Sequence, residues 1–297
     1  MSTLFSHFFK EFNQIAPLET KFTEVLDTIA LKPKILYFCG KMPENVVSVA
    51  IVGTRHNTKY GDEVAYKLAF ELAKRGVVIV SGLAFGIDSI VHRAAIDAGG
   101  TTVAVLGTPI DEIYPKAHEG LAREIIEKGG MIMSEYGPGE TIYPRTSFLA
   151  RNRLISGLAK VVVIVEAAER SGSLNTAMHA LDQGREVFAV PGNIMNNYSR
   201  GCNKLIKCGA TPYTEVEDVL SALFPARKLR KRPGQTVIFG DTAEETAVLK
   251  AIYDGENDGE QIMRRIKMRT EIFNQTVSML EIKGLIRSLG ANKWSLV

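Results

Sequence analysis

Phe148–Thr176 reads FLARNRLISGLAKVVVIVEAAERSGSLNT, and this stretch sets the fold class. Its middle, Val161–Val165, is an unbroken β-branched run. That composition suits a strand covered on both faces. Ahead of it, Phe148–Leu158 is polar and basic on one side and apolar on the other. Behind it, Ser171-Gly-Ser-Leu-Asn-Thr176 leads into Ala177–Leu181, which reads as a helix. A loop of small residues between a buried strand and a helix start exposes backbone N–H groups at the positive end of the helix dipole, a ready phosphate site. Arg145, Arg151 and Arg153 bracket one aromatic, Phe148. Amides, cations and an aromatic together point to a nucleotide or a nucleic-acid strand.

Outward from this stretch the chain alternates strand and helix. Val46–Val52, Val77–Val80, Thr102–Leu106, Met131–Met133 and Glu186–Val190 read as strands. Helices are expected around Tyr66–Leu72, from Asp88 to Ala98, and over His118–Glu127, each closed by glycine. Ser134–Thr146 reads as a long loop. The pattern predicts an α/β fold with a doubly wound, mostly parallel Rossmann-like sheet. Such sheets bind ligands beyond the carboxyl ends of their strands. Gly53-Thr-Arg55, Ser81–Asp88 and Ala167–Asn175 stand at those ends, and the fold predicts that they meet at one rim. Taken singly, each is also what a tight turn requires.

Residues 46–224 are thus expected to form the main domain, with 1–45 as a lead whose Leu4, Phe5, Phe8, Phe9 and Phe12 recur at helical spacing. Residues 225–240 read as a basic linker and 241–297 as a small separate domain. Three helical patterns and an alternating stretch around Gly290-Ala-Asn292 predict a winged-helix-like arrangement there. Acidic and basic residues roughly cancel in this domain, which leaves DNA binding, protein docking and a purely structural role all open.

The 297 residues carry a formal net charge of +3, so polyanion binding must come from local clustering. Cys39, Cys202 and Cys208 form no CxxC pair, which argues against a disulfide framework and a zinc site. No apolar run is long enough to span a membrane, and the first residues lack a signal-peptide pattern, so a cytoplasmic location is expected. Neither the glycine fingerprint of a standard NAD site nor a P-loop nor a nucleophile elbow occurs. Asp88 and His92, four apart on one helix, could pair to hold the Ser81–Asp88 loop. Glu166, just past the central strand, reads as a loop-orienting carboxylate rather than a catalytic one. No catalytic residue, metal or cofactor is expected.

Several motifs then fall in one order: Ile51-Val-Gly-Thr-Arg55, Ser81-Gly-Leu-Ala-Phe-Gly-Ile-Asp88 with His92, Ala104-Val-Leu-Gly107 with Tyr114-Pro115, Ser134-Glu-Tyr136, Arg151-Asn-Arg153, Glu166 with Ser171-Gly-Ser173, and Val190-Pro-Gly192. Together they resemble the DprA/Smf family, the DNA-processing proteins of bacterial natural transformation. The resemblance implies single-stranded DNA binding, dimerisation, displacement of single-strand-binding protein and help in loading the recombinase RecA, without catalysis. It implies a phosphate-binding role for Arg55, and a cation and a stacking aromatic at Arg145 and Phe148. With the residue reading, this gives a binding set of Gly53, Arg55, Arg145, Phe148, Arg153, Ser171, Gly172, Ser173 and Asn175. Asp88, His92, Arg151, Asn152 and Glu166 are expected to support the loops. Taken alone, each arginine equally suits a salt bridge across the rim, and Phe148 equally suits core packing.

Two other functions compete. Rossmann-type nucleotide phosphoribohydrolases carry a PGGxGTxxE stretch whose glutamate serves chemistry, and Ser171–Met178 has no glutamate. A transcription regulator led by the C-terminal domain would bind one duplex sequence instead.

Overall fold

The computed structural model describes residues 12–224, 242–290 and 292–296, without the side chains of Arg145, Ala243 and Leu296. The chain divides into two compact units, Met1–Lys228 and Leu229–Val297.

The strands of the first unit are β1 (Asn13–Ile15), β2 (Leu36–Gly40), β3 (Ser48–Gly53), β4 (Val78–Ser81), β5 (Thr102–Leu106), β6 (Met131–Ser134), β7 (Val161–Val165), β8 (Glu186–Ala189) and β9 (Thr211–Pro212). Its helices are α1 (Lys59–Lys74), α2 (Ile87–Asp97), α3 (Glu119–Glu127), α4 (Pro144–Leu158), α5 (Gly172–Asp182), α6 (Arg200–Lys207) and α7 (Val216–Leu223). The strands form one nine-stranded sheet in the order β1-β2-β6-β5-β4-β3-β7-β8-β9. Every pair from β6 to β9 is parallel.

Alternation along β3 explains why its run is apolar throughout. Ala50 and Val52 enter one core with Leu154, Ile155 and Leu158 of α4. Val49 and Ile51 enter the opposite core with Leu68 and Leu72 of α1 and Val91 of α2. A strand buried on both sides has no solvent face to make polar. The chain builds outward from β3 through β4, β5 and β6, then returns through α4 to lay β7 against the other side of β3. Because α1 and α4 cover opposite faces, a crevice opens beyond the carboxyl ends of β3 and β7, the switch point where such sheets hold ligands.

The sheet reaches further back than position 46. β1 and β2, within the expected lead, pair antiparallel with each other and β2 pairs antiparallel with β6. The helix expected around Leu4–Phe9 lies outside the described residues. Phe12 packs edge-on against Tyr37 of β2, ring centroids 6.0 Å apart. α4 starts inside the stretch expected to be loop, because Pro144 sits at its first turn with φ already preset. α6 and β9 have no counterpart in the sequence expectation.

The second unit holds α8 (Ala243–Tyr253), α9 (Gly259–Ile266), α10 (Thr270–Ile282) and the hairpin β10 (Ile286–Gly290) with β11 (Lys293–Leu296). Thr242 caps α8, its hydroxyl accepting the Glu245 N–H at 3.1 Å. Its core is Val248, Leu249, Ile262, Phe273, Val277, Leu280 and Ile286. Three helices and a hairpin are thus present. The expected basic linker lies outside the described residues. Among the described residues no helix is long and apolar enough to cross a membrane.

Candidate nucleic-acid interface

A cleft of about 460 Å³ occupies the switch point. The β3–α1 turn contributes Gly53, Thr54 and Arg55, and the β4–α2 loop contributes Ala84 and Asp88. The β7–α5 loop contributes Ala168, Ser171, Gly172 and Ser173, while α4 presents Phe148, Arg151, Asn152 and Ile155. The three loops therefore do share one rim. Phe148, Arg151, Asn152 and Ile155 fall at i, i+3, i+4 and i+7, which is one helical face, and Leu149 of the same helix adds to the lining beside Phe148.

Arg55 is exposed, and no hydrogen bond or ion pair holds its guanidinium among the described residues. Its backbone, in contrast, is pinned on both sides. The Thr54 N–H donates to the Glu166 carbonyl at 2.8 Å. The Glu166 carboxylate accepts the Thr58 N–H at 2.8 Å and the Thr58 hydroxyl at 2.6 Å. Glu166 does this from a left-handed backbone, φ +52°, on the order of 1–3 kcal/mol of strain that the surrounding bonds offset. It is a loop-orienting group in geometry. Gly53 is needed at its position because a Cβ there would run into the Val165 carbonyl and lie 2.6 Å from Ile87.

Arg151 lies 5% exposed on the floor. Its Nη1 donates to the carbonyls of Gly82, at 2.8 Å, and Val105, and its Nε donates to Asn152 Oδ1 at 3.2 Å. Burial draws its pKa down to about 10, while nearby Asp88 holds it up. Asp88 accepts the Gly82 N–H at 3.1 Å and the Ala84 N–H at 3.4 Å. Burial raises its pKa, and Arg151 and those amides oppose the rise. The expected Asp88–His92 pair is not made. Asp88 turns to its own loop, whose unpaired amides are nearer. His92 Nδ1 lies 2.7 Å from Thr102 Oγ1. Since that hydroxyl already donates to the Ile79 carbonyl, Nδ1 carries the proton and Nε2 is left bare, buried and unpaired. Burial first, then the His118 and Arg151 charges, push the His92 pKa down to about 3.

Phe148 is half-buried. It packs on Gly107, where a Cβ would lie 2.5 Å from its ring, and it still lines the cleft. The Arg151 guanidinium stands 5.9 Å from its centroid. Asn152 donates to the Gly172 carbonyl at 3.3 Å and to Asn175 Oδ1 at 3.2 Å, tying α4 to α5.

Three expectations need correction. Arg153 is not at the cleft. Its guanidinium donates to the Leu31 carbonyl at 2.7 Å, the Ala150 carbonyl at 2.9 Å and Glu135 at 2.6 Å. Two residues along a helix is a turn of about 200°, so Arg151 and Arg153 cannot face the same way. Asn175 does not line the cleft either, since it is engaged by Asn152. The amide cradle is narrower than expected as well. Ser171 donates its N–H to the Ala168 carbonyl at 3.0 Å, and its hydroxyl caps α5 by accepting the Ser173 N–H at 3.3 Å. Of the three amides, only that of Gly172 has no acceptor among the described residues. Arg145 occupies the first turn of α4, and its side chain lies outside the described residues.

Among the lining residues without a role in the sequence expectation are three large aromatics: Tyr198 in the cleft, and Phe85 and Tyr114 beside it. The available signal was a large aromatic set among small residues at a strand's carboxyl end.

Known proteins share this frame. The DNA processing protein DprA of Streptococcus pneumoniae is 41% identical over 214 residues, 72% of this chain and 75% of that protein. Protein Smf of Escherichia coli is 48% identical over 175 residues, 59% of this chain but only 46% of the relative, so the chain spans less than half of that protein. The solved DprA structure from Helicobacter pylori, described for its single-stranded DNA binding mode, superposes with a TM-score of 0.66. It is 33% identical, over 74% of this chain and 98% of that one. The family model for DNA recombination-mediator protein A matches residues 13–224, which begins at β1, includes every loop of the cleft and ends after α7. The strand order, the switch-point cleft and this match agree, and the chain belongs to the DNA recombination-mediator protein A family.

Proposed function

We propose that the switch-point cleft binds single-stranded DNA. One observation carries the reading: Arg55, an exposed guanidinium with no acidic partner among the described residues, projects from a rigid turn beside a half-exposed aromatic and the amino end of α5. Single-strand binders combine a cationic groove with aromatic platforms, because every base has a π-face. Arg55 neutralises one phosphate. The Gly172 N–H and the α5 dipole hold another. Phe148, backed by Gly107, stacks on a base. Arg145, on the first turn of α4, adds a second cation. The Helicobacter pylori relative's single-strand binding supports this reading.

At the level of the cell, the chain acts without catalysis as a cytoplasmic homodimer. It protects incoming single strands in natural transformation, displaces single-strand-binding protein and helps load RecA. The second unit, winged-helix-like in its order of elements, serves protein docking. Between Thr242 and Val297 eight basic residues face eight acidic ones, which gives no net attraction for a polyanion.

Anisotropy titrations of labelled oligo-dT and of a duplex, each at two salt concentrations, test the site. Tighter binding of the single strand is expected. Phe148→Ala should weaken it by about 1–3 kcal/mol with the salt slope unchanged. Equal affinity for duplex, or release of free base from a nucleoside monophosphate, would favour the regulator or the hydrolase instead.

A further inference from the structure

Beside the cleft lies a second, small hollow of about 30 Å³. Arg55, Ala84, Phe148 and Arg151 line both. What the hollow adds is Phe85 from the β4–α2 loop, 48% exposed, and Tyr114 from the β5–α3 connection, 50% exposed. Neither ring is loose. Phe85 meets the buried His118 ring edge-on at 4.9 Å and 64°. His118 is itself anchored, its Nδ1 2.8 Å from the Leu83 carbonyl. Tyr114 leans on Phe148 at 5.3 Å and 48°, too tilted for the two rings to stack on each other. Gly86 keeps Phe85 close to Arg55. Its φ is +76°, and a Cβ there would run into the Thr54 carbonyl and lie 2.9 Å from the Arg55 carbonyl carbon.

Two half-exposed aromatics buttressed from behind and set against an unpaired cation repeat the composition of the cleft next door. A hollow of this volume is too small to enclose a nucleoside. The half-exposed Phe85 and Tyr114 rings at its mouth suit a planar group resting on them.

We propose that Phe85 and Tyr114 form a second base-stacking platform, continuous with the cleft across Arg55. This rests on the single-strand reading of the cleft. The ligand is a strand of at least two unstacked nucleotides: one base lies on Phe148, the Arg55 guanidinium takes the intervening phosphate, and the next base lies on the Phe85–Tyr114 shelf. Sequence preference at the second base is weak, since stacking accepts any π-face.

The test uses the full chain and oligo-dT long enough to cover both platforms, with Phe85→Leu/Tyr114→Leu, Tyr114→Phe, Arg55→Ala and Phe148→Ala variants. Leucine keeps apolar bulk but not the π-face. The leucine double variant should bind about tenfold more weakly, within the range of one lost stack, with an unchanged slope of log affinity against log salt. Tyr114→Phe, which keeps the ring, should bind more tightly than the leucine double variant. A 2-aminopurine placed in the oligo should be quenched by the parent at two adjacent positions and by the double variant at one. Matching thermal unfolding of all variants shows that the fold is kept. If the double variant binds as the parent does while Arg55→Ala and Phe148→Ala weaken binding, the second platform is wrong and the cleft reading stands. If none of the four variants changes affinity, the cleft reading falls and the platform falls with it.

Discussion

Arg151 on the floor of the cleft and Arg55 on its rim carry the same guanidinium in opposite circumstances. Arg151 is buried, spends its donors on two carbonyls and a side-chain amide, and sits beside a buried carboxylate. Arg55 is exposed and has no acceptor among the described residues, although its backbone turn is held by Glu166. A phosphate approaching the floor would have to displace bonds already made. At the rim it would displace only water. The floor's guanidinium is therefore committed to the fold and the rim's is left with its donors available, and a cation's value to a polyanion is set by its partners more than by its proximity.

The largest effect that this contrast predicts is on stability. Arg151→Met should lower the unfolding free energy by about 3–5 kcal/mol, because it leaves the Gly82 and Val105 carbonyls buried without a donor and removes the charge that offsets the burial of Asp88. Urea unfolding measures the loss. Adding Asp88→Asn should recover part of it, since the remaining group is neutral. A loss under about 1 kcal/mol, as for a surface pair, would erase the distinction between floor and rim.

The same contrast shows what the sequence could and could not carry. The Val161–Val165 run and the small-residue loops located the switch point, because a doubly covered strand and a tight turn each leave a compositional mark. Helical geometry would also have separated Arg151 from Arg153, since residues two apart lie on opposite sides of α4. Other details had no local signature. Whether Asp88 bonds to His92 or to the Gly82 amide depends on how the β4–α2 loop folds back. Whether the Ser173 amide is free depends on the rotamer of Ser171. β1 was illegible because an edge strand of three residues carries too little periodicity to stand out, and β2, between it and β6, is a mixed run, Leu36-Tyr-Phe-Cys-Gly40, without the β-branched signature of β7.

The floor extends to His92, whose ring faces the His118 and Arg151 charges from within the core. Its folded pKa, about 3, lies below its ordinary value of 6.5, so the unfolded chain binds the extra proton and stability falls as pH falls through 6.5 toward 3. Between pH 7 and pH 5 this one group should remove about 2 kcal/mol. His92→Gln should lack that part of the loss, and urea unfolding of both proteins at the two pH values isolates it. The comparison with the variant matters because Asp88, with its raised pKa, acts on the same scan in the opposite direction.

The rim should answer differently. Arg55→Ala is expected to leave the unfolding midpoint unchanged and to weaken oligo-dT binding several-fold. The slope of log affinity against log salt should fall by about 0.7, one phosphate's share on a single strand. A shifted midpoint with an intact salt slope would make Arg55 a structural residue like Arg151.

The smallest effect tests whether the contrast holds elsewhere in the chain. Arg265 of α9 is 46% exposed by side chain, yet it is paired, with Asp254 at 2.7 Å and Glu256 at 3.8 Å. By exposure alone it resembles Arg55; by partnership it resembles Arg151. If partnership decides, Arg265→Ala should leave single-strand affinity and its salt slope where they are, and should cost under about 1 kcal/mol of stability, as exposed pairs do. If exposure decides, the variant should lose affinity as Arg55→Ala does. Titration of both variants against the same oligo-dT separates the two, because only an unpaired guanidinium can exchange water for phosphate without first giving up a carboxylate.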